Sequence, residues 1–154
     1  MLDYTDYDTR LAGYALVRDE RGRVLLSRWV GPDGPQWSIP GGGIEYGESI
    51  EQGTVREVLE ESGYRVELGR LFAVRTLDVS RQERLHPSGR PMRAVQVFHE
   101  AHVTGGELSF EVGGTSDMAG WFGLAEVAAL ARVSTVDWML HAAGLPDAPA
   151  GQVP

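Results

Sequence analysis

The chain contains no cysteine, no lysine and no asparagine. Without cysteine there is no disulfide framework, no thiolate zinc site and no catalytic thiol. All fourteen basic residues are therefore arginine, a bias we read as that of a GC-rich genome. No segment is apolar for the length of a membrane span, and the acidic start "MLDYTDYDTR" lacks a basic stretch followed by an apolar run. A cytoplasmic protein without membrane contact is expected. The net charge of −8 argues against binding duplex nucleic acid, where attraction to phosphates supplies most non-specific affinity. It leaves anionic ligands open, because acidic residues gathered around a divalent cation can give a locally positive site.

What is present reads as one compact domain over residues 1–145 and a flexible tail over 146–154, since 154 residues suffice for a single core. "LAGYALVRD" and "VLLSRWV" flank the turn "ERGR" with Gly22 between them, which predicts a hairpin. "YRVELGRLFAVRTLDV" and "RAVQVFHEAHV" read as two long strands joined by the polar loop "SRQERLHPSGRPM", in which His86 faces solvent; "GLAEVAALA" and "TVDWMLHAAG" read as short helices. Between Glu48 and Ser62 the period becomes helical, with Ile50, Thr54 and Val58 on one row and Val55 and Leu59 beside it. Ser49 and Gln52 fit a capping box, and Gly63 stands where a left-handed C-terminal cap belongs.

That helix carries the chemistry. Glu57, Glu60 and Glu61 fall at i, i+3 and i+4, so their carboxylates share one face. Two such charges about 6 Å apart repel by about 3 kcal/mol at an effective dielectric of about 20. Clusters of this kind are most often solvated surface; the functional alternative is a divalent cation between them. Oxygen ligands alone suit magnesium or manganese.

The spacing back to the glycine loop decides between the two. Gly42, five residues, Glu48, seven residues, then "REVLEESGY" from Arg56 to Tyr64 resembles the signature of the Nudix hydrolases, with Tyr64 at the last apolar slot as the one departure. The resemblance implies an α/β fold, the Nudix-type α/β/α sandwich with a mixed β-sheet between helices. It implies Mg2+ (or Mn2+) as cofactor, with Glu57, Glu60, Glu61 and the carbonyl of Gly41 as ligands. Arg56 would pair with Glu48 and lock the loop to the helix. Physically such a pair also suits a carboxylate near a helix start, and its bland reading is a surface ion pair of small worth. Gly53 and Thr54 stand where relatives carry alanine, which keeps the helix close to the sheet.

The reaction implied is hydrolysis of a phosphoanhydride bond in a nucleoside diphosphate linked to another moiety, by in-line attack of a metal-activated water. Glu57 is the candidate base, with Glu111 and Asp117 of the later loop "FEVGGTSDMAGW" as alternatives; Asp117 reads equally as a turn-capping aspartate. Arg75 and Trp37 are candidates for substrate binding, as is Trp29, while Trp121 and Trp138 read as core. The expected partner is a small-molecule nucleotide, with a lean toward a nucleoside triphosphate; Val79 and Ser80 replace the residues that mark the ADP-ribose and dinucleoside polyphosphate branches. Relatives of this family often form homodimers. A non-catalytic nucleotide-sensing module of the same fold is the alternative, although such modules usually lose glutamates that are kept here. An isopentenyl diphosphate isomerase is excluded by the missing cysteine.

Overall fold

The computed structural model of the protein describes residues 1–85, 88–110, 113–114 and 116–145. The expected tail 146–154, His86 and Glu111 lie outside the described residues. In chain order the elements are strands β1 (Asp8–Val17), β2 (Val24–Gly31), β3 (Gly34–Ser38) and β4 (Gly41–Gly43), helix α1 (Ile50–Ser62), strands β5 (Tyr64–Val79), β6 (Met92–Gly106) and β7 (Ser116–Phe122), and helices α2 (Leu124–Val127) and α3 (Ser134–Ala142). Two sheets result. One is four-stranded and mixed, in the order β4-β1-β6-β5, with β1 and β6 parallel. The other is antiparallel, with β2 between β3 and β7.

Alternation along the strands places helices on both faces. Ala15 and Val17 of β1, with Leu25 of β2, pack with Val58 of α1. Leu16 of β1, with Val24 and Leu26 of β2, packs on the other side with Val136, Met139 and Leu140 of α3. Phe98 of β6 is fully buried in this second cluster, with ring centroids 5.4 Å from Tyr14 and 5.1 Å from Trp138. Burying one such side chain stabilises by about 1.5–3 kcal/mol. The α/β/α sandwich expected from the sequence is thus present, with two sheets in its central layer. Among the described residues no helix is long and apolar enough to cross a membrane.

The expected hairpin between the first two strands does not form. β1 and β2 meet only at the bridge Arg18↔Val24 and then enter different sheets. The turn is closed locally: the Asp19 N–H donates to the Arg23 carbonyl at 3.1 Å, and the Asp19 carboxylate accepts the backbone N–H of Arg21 at 3.0 Å and of Arg23 at 2.9 Å. Beyond it, β1 gains a longer partner in β6, paired from Asp8↔Met92 to Val17↔Ala101. The glycine loop is also partly strand: Gly41–Gly43 pair with Tyr14, Gly13 and Ala12.

Helix α1 begins and ends as its sequence predicts. Ser49 is the N-cap, its hydroxyl accepting the Gln52 N–H at 3.1 Å while the Gln52 side chain accepts the Ser49 N–H at 2.8 Å. Gly63 caps the other end at φ 77°, where a side chain would be strained. Thr54, fully buried, packs against Gly13 of β1 and holds α1 close to the mixed sheet. Leu59, by contrast, is exposed.

Because the capping box closes two otherwise orphaned N–H groups, Ser49→Ala should lower unfolding free energy by about 1 kcal/mol, and Ser49→Asp should restore nearly all of it. Urea denaturation of the three proteins measures this, and an unchanged midpoint for Ser49→Ala would contradict it.

Candidate active site

The organising side chain is Arg56, at mid-helix on the side of α1 that faces the glycine loop. Its Nε and Nη2 grip the two oxygens of Glu48 at 3.1 and 2.7 Å. Nη2 also donates to the carbonyl of Gly43 at 3.1 Å, and Nη1 donates to Glu57 at 3.0 Å and Glu60 at 3.2 Å. All the N–H donors of the guanidinium are thereby engaged. The Glu48 carboxylate, held well below its ordinary pKa chiefly by Arg56, also accepts the Glu45 N–H at 2.6 Å. Gly53 has a role here that its small size alone did not reveal: a Cβ there would lie 2.6 Å from the Glu48 carboxylate. Its bare position admits the loop anchor, while Thr54 packs against Gly13 of β1.

One turn on, Glu61 turns inward. Its Oε2 accepts the Gly41 N–H at 3.0 Å and the Ser27 hydroxyl at 3.1 Å, and its Oε1 accepts the Ser116 hydroxyl at 2.9 Å. Burial nonetheless outweighs these donors and pushes its carboxyl from an ordinary 4.5 up to about 7. Glu57, between Arg56 and the loop, is likewise pushed up, mainly by burial and against the pull of Arg56. Its carboxyl group occupies the space above Gly42, where a Cβ would come within 2.7 Å of it.

Glu57 and Glu61 line a cleft of about 600 Å³ together with Gly41, Ser116 and Trp29. Arg10 of β1 enters the same cleft, its guanidinium over Gly43. Glu60 is about half exposed and tied to Arg56, and among the described residues no three acidic or imidazole groups are gathered closely enough to enclose an ion. The expected patch of three carboxylates thus divides into two in the cleft and one outside.

Other expected site residues stand elsewhere. Trp37 packs edge-on against Phe122 at 4.6 Å, within the cluster that contains α3. Arg75 donates to Gln96 at 2.7 Å and Thr135 at 2.6 Å and lies 4.5 Å over Trp138. Asp117 forms a two-pronged pair with Arg28 at 2.9 and 2.8 Å, which lowers its pKa. A β-bulge separates it from the cleft: β7 pairs Met118 with Arg28 and Ser116 with Trp29, so Asp117 has no partner across the ladder. Ser27 and Ser116 were missed; Ser27 was detectable as a polar residue in the apolar run "VLLSRWV".

Compared with known proteins, the NUDIX domain family matches residues 8–141. The chain belongs to the Nudix family. A Nudix hydrolase from Nitrosomonas europaea superposes with a TM-score of 0.74, covering 92% of each chain at 19% identity, a likeness of fold. Among curated relatives, an RNA pyrophosphohydrolase of Novosphingobium aromaticivorans is 37% identical over 48% of this chain and 43% of its own length. Diphosphoinositol polyphosphate phosphohydrolase 3-alpha of Mus musculus is 41% identical over 54% of this chain and 51% of its own. The chain thus spans about half the length of these curated Nudix relatives, or less.

The raised pKa of Glu61 has a definite sign for stability. A carboxyl that binds its proton more tightly in the folded state favours folding at low pH, and that contribution is lost as pH rises from about 4.5 to about 7. Without divalent cations, Glu61→Gln should therefore melt above the wild type at pH 8, and the gap should close toward pH 5. Equal melting temperatures at pH 8 would show that the carboxylate is not under this strain.

Proposed function

We propose that the chain is a divalent-cation-dependent hydrolase that cleaves a phosphoanhydride bond in a nucleoside diphosphate linked to another moiety. The observation that carries this reading is the convergence of Glu57 and Glu61 on one cleft, both with carboxyl groups pushed toward protonation and both beside the glycine strand. Two partly buried carboxylates of one helix remain ionised together only beside a positive charge. An oxygen-only donor set fits magnesium or manganese, and the bare position at Gly42 leaves the Glu57 carboxylate room against the strand. Glu57, Glu61 and the carbonyl of Gly41 would hold the ion; Glu60 would join them only by giving up its bond to Arg56. The bound ion supplies charge neutralisation for phosphate oxygens and a lowered pKa for the attacking water.

The chain's own residues do the rest. Arg56 and Glu48 hold the loop in register with α1, and Ser27, Ser116 and the Gly41 N–H fix the orientation of Glu61. Glu57, which lies in the cleft beside the glycine strand, would accept the proton of the attacking water. Asp117, depressed by Arg28, is the poorer base. Arg10 brings a cation over the cleft for the phosphates. The relatives named as an RNA pyrophosphohydrolase and a diphosphoinositol polyphosphate phosphohydrolase support the reaction type.

Product release from a panel of nucleoside triphosphates and nucleotide sugars tests this. Turnover should require Mg2+ or Mn2+ and vanish with chelator. Glu57→Gln should lose about 10²- to 10⁴-fold in kcat, and Asp117→Asn, which breaks an exposed ion pair, less than about threefold. A large loss in Asp117→Asn with little in Glu57→Gln would move the base to β7; tight binding of one nucleotide with no turnover would make the chain a sensor.

A further inference from the structure

Eight of the fourteen arginines form an ion pair with a carboxylate. Among the described residues, Arg75 is the one arginine outside these pairs that is not exposed. Its partners are neutral. Nε donates to the Gln96 side-chain oxygen at 2.7 Å, Nη2 donates to the Thr135 hydroxyl at 2.6 Å, and the guanidinium lies 4.5 Å over the Trp138 ring. Burial accordingly holds its pKa below the ordinary value for arginine. In a chain with 22 acidic residues, a half-buried cation is left here without a carboxylate.

Strand alternation brings this charge to the cleft. Ala73, Arg75, Leu77 and Val79 share one face of β5; Ala73 packs in the cluster that contains α3, and Val79 lines the cleft. Gln96 of β6, 7% exposed, stands opposite Arg75 across the ladder. An arginine offers only N–H groups, so it takes the Gln96 oxygen and turns the amide N–H toward the Tyr14 hydroxyl, 3.5 Å away. Thr135 likewise accepts from Arg75. Tyr14 and Thr135 both line the cleft that holds Glu57 and Glu61. Among the described residues neither hydroxyl donates to another group, so each keeps its own proton to give. The network from Arg75 thus turns two ambivalent hydroxyls into donors, with a positive charge behind them.

We propose that Tyr14 and Thr135, backed by Arg75, form a second anion-binding wall in the cleft, which takes a phosphate group that is not cleaved. That phosphate has two sources, the far moiety of a substrate and free phosphate in solution. The chemistry is shared: oxygens that accept from two hydroxyls in the field of a cation. Arg75 is a positioning residue, because it acts through the hydroxyls. The inference goes beyond the phosphoanhydride reading, since the wall is built from groups apart from Glu57 and Glu61 and needs no metal ion to bind its ligand. The cleft then carries two uncompensated charges of opposite sign, the glutamate pair at one place and Arg75 behind another wall.

The test titrates the metal-free protein with inorganic phosphate in a calorimeter at fixed ionic strength. The expected result is saturable binding that weakens at least about tenfold in Thr135→Val, Tyr14→Phe and Arg75→Gln. The first two variants keep the shape of the side chain and remove only a hydroxyl, so they separate the wall from the packing role of Arg75. Arg10→Gln, at the glycine strand, should bind phosphate as the wild type does. No binding, binding unchanged in the three wall variants, or a loss confined to Arg10→Gln would overturn the inference. Kinetics with Mg2+ then separate the sources, using NADH and NADPH, which differ by one phosphate outside the diphosphate bridge. A preference for NADPH, carried by KM and abolished in Thr135→Val, assigns the wall to the substrate. Equal kcat/KM for the two, with inhibition by inorganic phosphate that Thr135→Val relieves, assigns it to free phosphate. If no nucleotide is turned over, the hydrolase reading fails on its own, and the calorimetric result still decides this inference.

Discussion

The site depends on one guanidinium. Arg56 ties together three pieces of chain: the loop anchor Glu48, the strand carbonyl of Gly43 and the helix carboxylates Glu57 and Glu60. Its planar fork matches the two Glu48 oxygens while still reaching the other acceptors, a pattern that a lysine could not reproduce. Exposed ion pairs contribute little, but here both partners are mostly covered, so losing one would leave charge stranded between helix and loop. Arg56 also spans the division among the glutamates, bonding Glu57 in the cleft and Glu60 outside it through the same Nη1.

What was legible in the sequence follows from how local each feature is. The capping box at Ser49 and the cap at Gly63 are each set within about one helical turn, and the structure reproduces them; the glutamates are as local in spacing, yet only Glu57 and Glu61 reach the cleft. The hairpin failed because the turn at Asp19 satisfies its own backbone whether the flanking strands pair or part, and the choice lies with β6, far along the chain. Strand β7 carries Asp117, Gly120 and only aromatic β-formers at its end, so its own preference is weak and pairing with β2 imposes the extended state.

The same rule separates the site residues. Glu57 and Glu61 could be placed from spacing alone, whereas Ser27 and Ser116 reach Glu61 from strands distant in sequence. Trp29 and Trp37 are alike in type and flank the same loop, and only the row that each joins distinguishes them. Trp29 shares the face of Ser27 and Leu25; Trp37 lies in the opposite cluster against Phe122. Periodicity gives the alternation but not which face meets α1. Asp117 shows a further limit, since the bulge at Arg28 and Trp29 shifts the pairing by one residue and gives the position facing Glu61 to Ser116.

The carboxylates of the cleft are placed at some cost to the fold. Glu61 receives three neutral donors and still has its pKa raised, because hydroxyl and amide dipoles compensate only part of the water that burial removes, and the neighbouring Glu57 adds to the strain. The Arg56 guanidinium bonds Glu57 but is shared among Glu48, Glu60 and Gly43, with no N–H left for Glu61. A compact domain gains nothing in stability from such a pair, and replacing it with apolar residues would be the simpler way to build a core. Its presence makes sense if the compensating charge comes from outside the chain. If it does, ionisation of the pair, occupation of the cleft by a cation and full stability would form one linked equilibrium.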